Sequence, residues 1–319
     1  MTNKELYREF CTTSPQLPIF MQDWWLDAVC AGKQWDVLLV RDADQQIVCA
    51  MPYLIRKRAW VNYIVMPQMT QISGPWISDE VRINPDELSR VIQELVNQLQ
   101  QLDIAYYYQH LNMDEPMAQV YKQLGFRVKE RITYRINNLS NLDAVINAFS
   151  KNKKRQLQKA LSLHADMNLD VEDFYRFHVS CLQERGKQIS YTREFLLVLE
   201  RKTKRLQQSQ VVAIRNADGA LMAAAFVVWD QHSMYYLIPA YSEAYKDSGA
   251  SALLVLECIK LAREKRVIFD FEGSMIRGVA NHYKQFGSAA EKYYGVERYY
   301  KWWFWFANAY NWVRERKMR

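Results

Sequence analysis

Apolar residues recur at helical spacing along residues 85–101, where Leu88, Val91, Ile92 and Leu95 fall on one stripe and predict an amphipathic helix. Runs rich in β-branched and aromatic residues bracket it. WVNYIVMP (60–67) comes before, and DIAYYYQHL (103–111) comes after as an expected buried strand. The same succession returns later in the chain. SMYYLIPAY (233–241) leads into a helix-period segment at 249–264 carrying Leu253, Leu256, Ile259 and Lys260, and RVIFDFEGS (266–274) follows as a strand.

Two further blocks match in the same order. VRDADQQIVCA (40–50) and IRNADGALMAA (214–224) each read as strand, Asp-centred turn and strand. YKQLGF (121–126) and YKQFGS (283–288) each end a short predicted helix, with the Gly suited to a left-handed C-cap, before a last strand. Helix-end chemistry alone makes such a match unremarkable. Two matched blocks with matching elements between them indicate an internal duplication. The polar, turn-forming stretch NNLSNLD (137–143) places the boundary, so the expected domains are 1–140 and 141–299, followed by an aromatic and basic C-terminal helix at 300–319.

A length of 319 residues and a hydrophobic fraction of 50% suit two globular domains of an α/β protein. Net charge is +7, which favours acidic partners such as phosphates or an anionic membrane surface. The start of the chain has no signal-peptide pattern and no stretch is apolar for long enough to span a bilayer, so a cytoplasmic location is expected. Five scattered cysteines and five scattered histidines show no metal spacing, and no metal is expected. Nucleotide fingerprints, a serine nucleophile elbow and sequence-specific DNA-reading motifs are also missing.

The element order ending in YKQLGF resembles the GNAT acyltransferase superfamily, and two such halves in one chain resemble its tandem, Fem-type peptidyltransferase branch. The likeness is carried by SKNKKRQLQKA (150–160), DFEGS (270–274) and HYKQFGSAAEKYYG (282–295), without the coiled-coil arm of some members. The resemblance implies two GNAT-like domains, each a mixed, mostly antiparallel sheet flanked by helices. It also implies transfer of an acyl or aminoacyl group to an amine of a small-molecule, peptide or cell-envelope precursor acceptor. Acyl-CoA or aminoacyl-tRNA would be the co-substrate, with no permanently bound cofactor.

The two copies differ where a donor would bind. A donor phosphate is best held at a helix N-terminus, where free N–H groups and the positive end of the dipole face outward. The first-copy helix opens NPDEL, so Asp86 and Glu87 repel phosphate there. The second opens YKDSGAS, making Lys246, Ser248, Gly249, Ala250 and Ser251 the donor-binding candidates, although an ordinary capped helix explains them as well. They match the CoA-binding loop of GNAT folds in part only, since Lys246 and Ser251 replace its first and last residues.

Strand alternation predicts Ile268, Asp270 and Glu272 on one face. Glu272, with Asp270 second, is the candidate proton acceptor for the attacking ammonium, against a structural use as helix cap or partner of Arg277. The resemblance places Lys284, with Tyr283, near the donor's developing charge. Yet Lys122 occupies the same place in the first copy, which a shared structural use explains equally. Residues 150–160 carry Lys153, Lys154 and Arg155 as candidate contacts for phosphates of tRNA, CoA or a nucleotide-linked acceptor, or simply as a solvated helix face. The loop PQMTQISGPW (67–76) is a candidate acceptor contact. The tail from Trp302 to Arg319 either packs back as an amphipathic helix or lies in a membrane interface. A noncatalytic binding or membrane-peripheral protein that kept this fold is the alternative reading.

Overall fold

The computed structural model describes residues 1–30, 35–58 and 60–305. In chain order the elements are helices α1 (Asn3–Thr13) and α2 (Asp23–Val29), then strands β1 (Trp35–Arg41), β2 (Ile47–Arg58), β3 (Val61–Val65) and β4 (Trp76–Ile77). Helices α3 (Asp79–Arg82) and α4 (Pro85–Gln101), strand β5 (Ile104–Leu111), helix α5 (Glu115–Gln123) and strand β6 (Arg127–Ile136) follow. The second half has α6 (Leu142–Ala148), α7 (Lys151–Lys159), β7 (His164–Asp166), α8 (Val171–Gln183) and α9 (Arg193–Arg205). It continues with β8 (Ser209–Arg215), β9 (Leu221–Trp229), β10 (Ser233–Tyr241), α10 (Ala250–Glu264), β11 (Ile268–Asp270), α11 (Arg277–Lys284) and β12 (Ala289–Tyr299).

The chain divides into two compact units, one of Met1–Arg131 with Lys292–Arg319 and one of Ile132–Glu291. In the first unit the strand order is β1, β2, β3, β5, β12, with β3 and β5 parallel and the other neighbours antiparallel. In the second it is β6, β11, β10, β9, β8, β7, with only β10 and β11 parallel. Each unit is therefore an α/β body with a mixed, largely antiparallel sheet, as expected. The parallel pair in each is joined by the long helix, α4 or α10, because a parallel connection needs such a crossover.

The units are drawn differently from the domains 1–140, 141–299 and 300–319. Strand β12, the last of the second repeat, lies in the first unit beside β5, whereas residues Arg135 and Ile136 of β6, the last strand of the first repeat, lie beside β11 in the second. Local pattern names a strand but not its partner, since pairing is a long-range choice.

Matching local geometry supports the duplication. Both hairpins carry a register shift at the same place, between Val40 and Arg41 and between Ile214 and Arg215. Each turn is closed by one side chain: Asp42 Oδ1 accepts from the amides of Asp44 and Gln46 at 2.9 and 2.8 Å, and Asn216 Oδ1 from that of Ala220 at 2.8 Å. In the YKQ-Gly motifs Tyr121 and Tyr283 are buried, Lys122 and Lys284 are exposed, and Gly125 and Gly287 have φ of 82° and 72°. The tyrosines anchor the helix ends in their cores, the lysines face water, and the glycines make the left-handed exit that a Cβ disfavours.

Helix α4 covers the predicted residues and buries Leu88, Val91, Ile92 and Leu95 together with Val96 and Leu99. Each such side chain contributes about 1.5–3 kcal/mol relative to exposure. Helix α10 buries Leu256 and Ile259 of its expected stripe, with Leu254, Val255 and Cys258, in the core of the second unit, whereas Leu253 is half-buried and Lys260 pairs with Glu257 at 2.7 Å, because the helix is buried on more than one stripe. At the C-terminus Phe304 is buried beside the rings of Tyr63 and Tyr106, at 5.5 and 6.1 Å, while Trp302 and Trp305 are exposed. The rest of the aromatic and basic tail, from residue 306, lies outside the described residues. No helix among the described residues is long and apolar enough to cross a membrane.

Candidate active site

Strands β10 and β11 pair only over Ser233–Tyr235 and Ile268–Asp270, and β10 runs on to Tyr241 without β11 beside it. A cleft of about 440 Å³ lies here in the second unit. Its walls include Tyr241 and Ser242 at the end of β10, Lys246, Ala250 and Ser251 at the start of α10, and Gly278, Val279, His282 and Tyr283 of α11.

The start of α10 is built by its sequence. Gly249, the N-cap, has φ of 85°, and a Cβ there would stand 2.1 Å from the carbonyl oxygen of Gln156 on α7. Ser248 Oγ donates to the Tyr245 carbonyl at 2.6 Å and accepts from the Ala250 amide at 3.2 Å. Ser248 and Gly249 thus shape the turn, while Lys246, Ala250 and Ser251 face the cleft. Lys246 pairs with Glu243 at 3.1 Å on the surface. At the start of α4, by contrast, Asn84 already accepts from the amides of Asp86 and Glu87, with two acidic side chains alongside. That terminus is filled. Gly249→Ala is expected to lower stability by about 2–4 kcal/mol through the positive φ and the clash with α7. Thermal denaturation with and without donor reads it, and an unchanged melting temperature would remove the close-packing argument.

Asp270 and Glu272 differ sharply. Asp270 is fully buried and accepts from Thr133 Oγ1 at 2.5 Å, Arg135 Nε at 2.6 Å and the Glu272 amide at 2.7 Å. Its partner is Arg135 rather than Arg277. Glu272 lies beyond the end of β11, with φ of 59°, so strand alternation does not place it as expected. Its Oε1 is shielded from solvent and accepts no hydrogen bond. Burial, and then the neighbouring Asp270, push the Glu272 carboxyl well above the usual carboxylate range. Tyr283 is a wall of the cleft, and burial, then the charges of Glu272 and Asp270, raise the pKa of its hydroxyl. At the corresponding place in the first unit, Tyr108 and His110 hydrogen-bond to each other at 2.7 Å, with Arg131 on the Tyr108 hydroxyl at 3.2 Å.

The remaining candidates separate. Lys284 is exposed, its Nζ 5.8 Å from the Tyr134 ring centre, and is not a wall of the cleft. Lys153 is 2% exposed, which corrects its expected place on a solvated face: it points inward, while Lys154 donates to the Asn147 carbonyl at 2.8 Å and Arg155 to Asn152 at 3.2 Å. Sequence reasoning missed His282 and Arg185. His282 was legible as one of four cleft residues, Gly278, Val279, His282 and Tyr283, at helical spacing along α11. Arg185, which donates to the Tyr241 carbonyl at 2.9 Å, carried no local signal.

Residues 147–285 match the family described as acetyltransferase (GNAT) domain. No curated protein sequence matches the chain. Among solved structures, FemX superposes with a TM-score of 0.69 at 13% identity, covering 92% of this chain and 96% of that one. A conserved protein of unknown function from Bacteroides thetaiotaomicron gives 0.60 at 11% identity, covering 92% and 97%. The C-terminal domain of a protein assigned as a lysylphosphatidylglycerol synthetase from Agrobacterium fabrum gives 0.54 at 12% identity, covering 92% of each. The domain match and these likenesses, over a cleft framed by β10, α10 and α11, identify a GNAT/Fem-like fold.

Proposed function

We propose that the protein is an N-acyltransferase that moves an acyl or aminoacyl group from acyl-CoA or aminoacyl-tRNA to an amine of a small-molecule, peptide or cell-envelope precursor acceptor. The observation that carries this reading is the cleft at the start of α10, bounded by Tyr283, whose hydroxyl pKa is raised by burial and by the charge of Glu272. The GNAT domain match over the same residues supports it.

In this reading the N-terminus of α10, with Lys246 and Ser251, holds donor phosphate. A carboxyl with a raised pKa is suited to exchange protons near neutrality. Glu272 takes a proton from the acceptor ammonium, the free amine attacks the donor carbonyl, and a C–N bond forms as the thioester or ester bond breaks. The leaving sulfur or oxygen takes up the second proton of the attacking nitrogen, and Glu272 releases the first to solvent. Asp270, which accepts from three donors, acts by holding Arg135 and the Glu272 backbone in place. Lys154 and Arg155, on the exposed side of α7, are proposed phosphate contacts.

Thermal-shift measurements with acetyl-CoA, longer acyl-CoAs and aminoacyl-tRNA test the reading. A true donor at about 100 times its Kd stabilises the fold by about 2.7 kcal/mol, which raises Tm by several degrees. No response to any of them would favour a noncatalytic binding protein instead.

A further inference from the structure

Lys153 and His282 form a pair whose chemistry neither packing nor the proton exchange at Glu272 accounts for. The Lys153 Nζ lies 3.3 Å from His282 Nδ1 and 3.0 Å from Gln156 Oε1, and stands 4.7 Å from the centre of the Phe286 ring. Lys153 makes no ion pair among the described residues, although it is 2% exposed. A lysine ammonium only donates hydrogen bonds, so Nδ1 of His282 accepts and the imidazole proton sits on Nε2. That Nε2 is shielded from solvent and has no hydrogen-bond partner, yet His282 is a wall of the cleft. A buried N–H left unpaired is destabilising, and in the wall of a cleft a bound oxygen acceptor is one way to satisfy it. Burial and the Lys153 charge lower the His282 pKa to about 4, so the ring is neutral at pH 7 and keeps this tautomer. Burial also lowers Lys153 to about 8, which still leaves most of it charged.

We propose that His282 is a binding residue whose Nε2–H donates to a carbonyl or phosphoryl oxygen of the ligand in the cleft, and that Lys153 is the positioning residue that fixes its tautomer. The proposal rests on the donor-site reading for the identity of the ligand only. Lys153 acts through His282, which explains why a lysine of the basic helix is turned inward. A neutral imidazole suits this task, because it donates a hydrogen bond without placing a second full charge beside Lys153.

Nitrogen-15 imidazole spectra of the full chain test the tautomer. The wild type is expected to show His282 as the Nε2–H form from pH 5.5 to 7.5. Lys153→Met should lose that preference, and Lys153→Arg should restore it. A wild-type His282 protonated on Nδ1 would overturn the assignment.

Binding is read with CoA and acetyl-CoA. Both should shift the His282 Nε2 resonance if the oxygen is a phosphate, and His282→Phe should then weaken both about tenfold. Acetyl-CoA alone should shift it if the oxygen is the carbonyl, and His282→Phe should then lower kcat about 10²-fold or more with CoA affinity unchanged. A donor that raises Tm but leaves His282 unmoved overturns this proposal and leaves the donor site standing. If neither these donors nor aminoacyl-tRNA binds, the donor reading falls and the ligand role of His282 falls with it.

Discussion

Glu272→Gln is expected to lower kcat by about 10²–10⁴-fold, the usual loss on removing a general base, with donor affinity unchanged. The same substitution should make the protein increasingly stable relative to wild type as pH rises. Burial and Asp270 hold the folded-state pKa of Glu272 above its unfolded value of about 4.5, so the native state binds more protons than the unfolded chain between the two. Stability therefore falls as pH rises from the unfolded pKa through the folded one, and the penalty is complete above the folded pKa. Gln carries no such dependence. Melting temperatures of both proteins between pH 5 and 8 should diverge steadily, with the variant higher at the alkaline end. Parallel curves would remove the buried-carboxyl argument, and intact turnover would remove Glu272 as the proton acceptor.

The second large effect is structural. Asp270→Ala is expected to destabilise the protein by about 3–5 kcal/mol, since breaking a buried pair leaves the other charge uncompensated. Among the described residues Arg135, with 17% side-chain exposure, keeps Glu291 at 3.4 Å, while the donations of Thr133 and the Glu272 amide to Asp270 are lost. Urea denaturation measures the loss, and the Asn variant, which keeps one oxygen, should fall between wild type and Ala. A loss below about 1 kcal/mol would show the network to be ornamental. The two neighbouring acids thus separate by experiment. Removal of Glu272 is expected to slow chemistry in a folded protein, and removal of Asp270 to weaken the fold that presents Glu272.

Much of the architecture was legible in the residues because it follows from local preference. The stripe of Leu88, Val91, Ile92 and Leu95 specifies α4, Asp42 and Asn216 specify the hairpin turns, and Gly125 and Gly287 specify the helix exits. Differences between the copies also single out the start of α10 as the candidate donor site, since the start of α4 is filled by its own Asn84 and acids while that of α10 is backed by glycine and serine.

The sequence by itself determined the α/β succession that recurs in each half and the turns that shape it, because backbone torsions and hydrophobic period depend on near neighbours. Only the tertiary structure decided which strand completes each unit, that Lys153 turns inward to His282, and that Oε1 of Glu272 accepts no hydrogen bond while Asp270 accepts three. Strand partners and buried contacts join residues more than a hundred positions apart, and desolvation depends on every atom packed around a group. No local pattern carries that information.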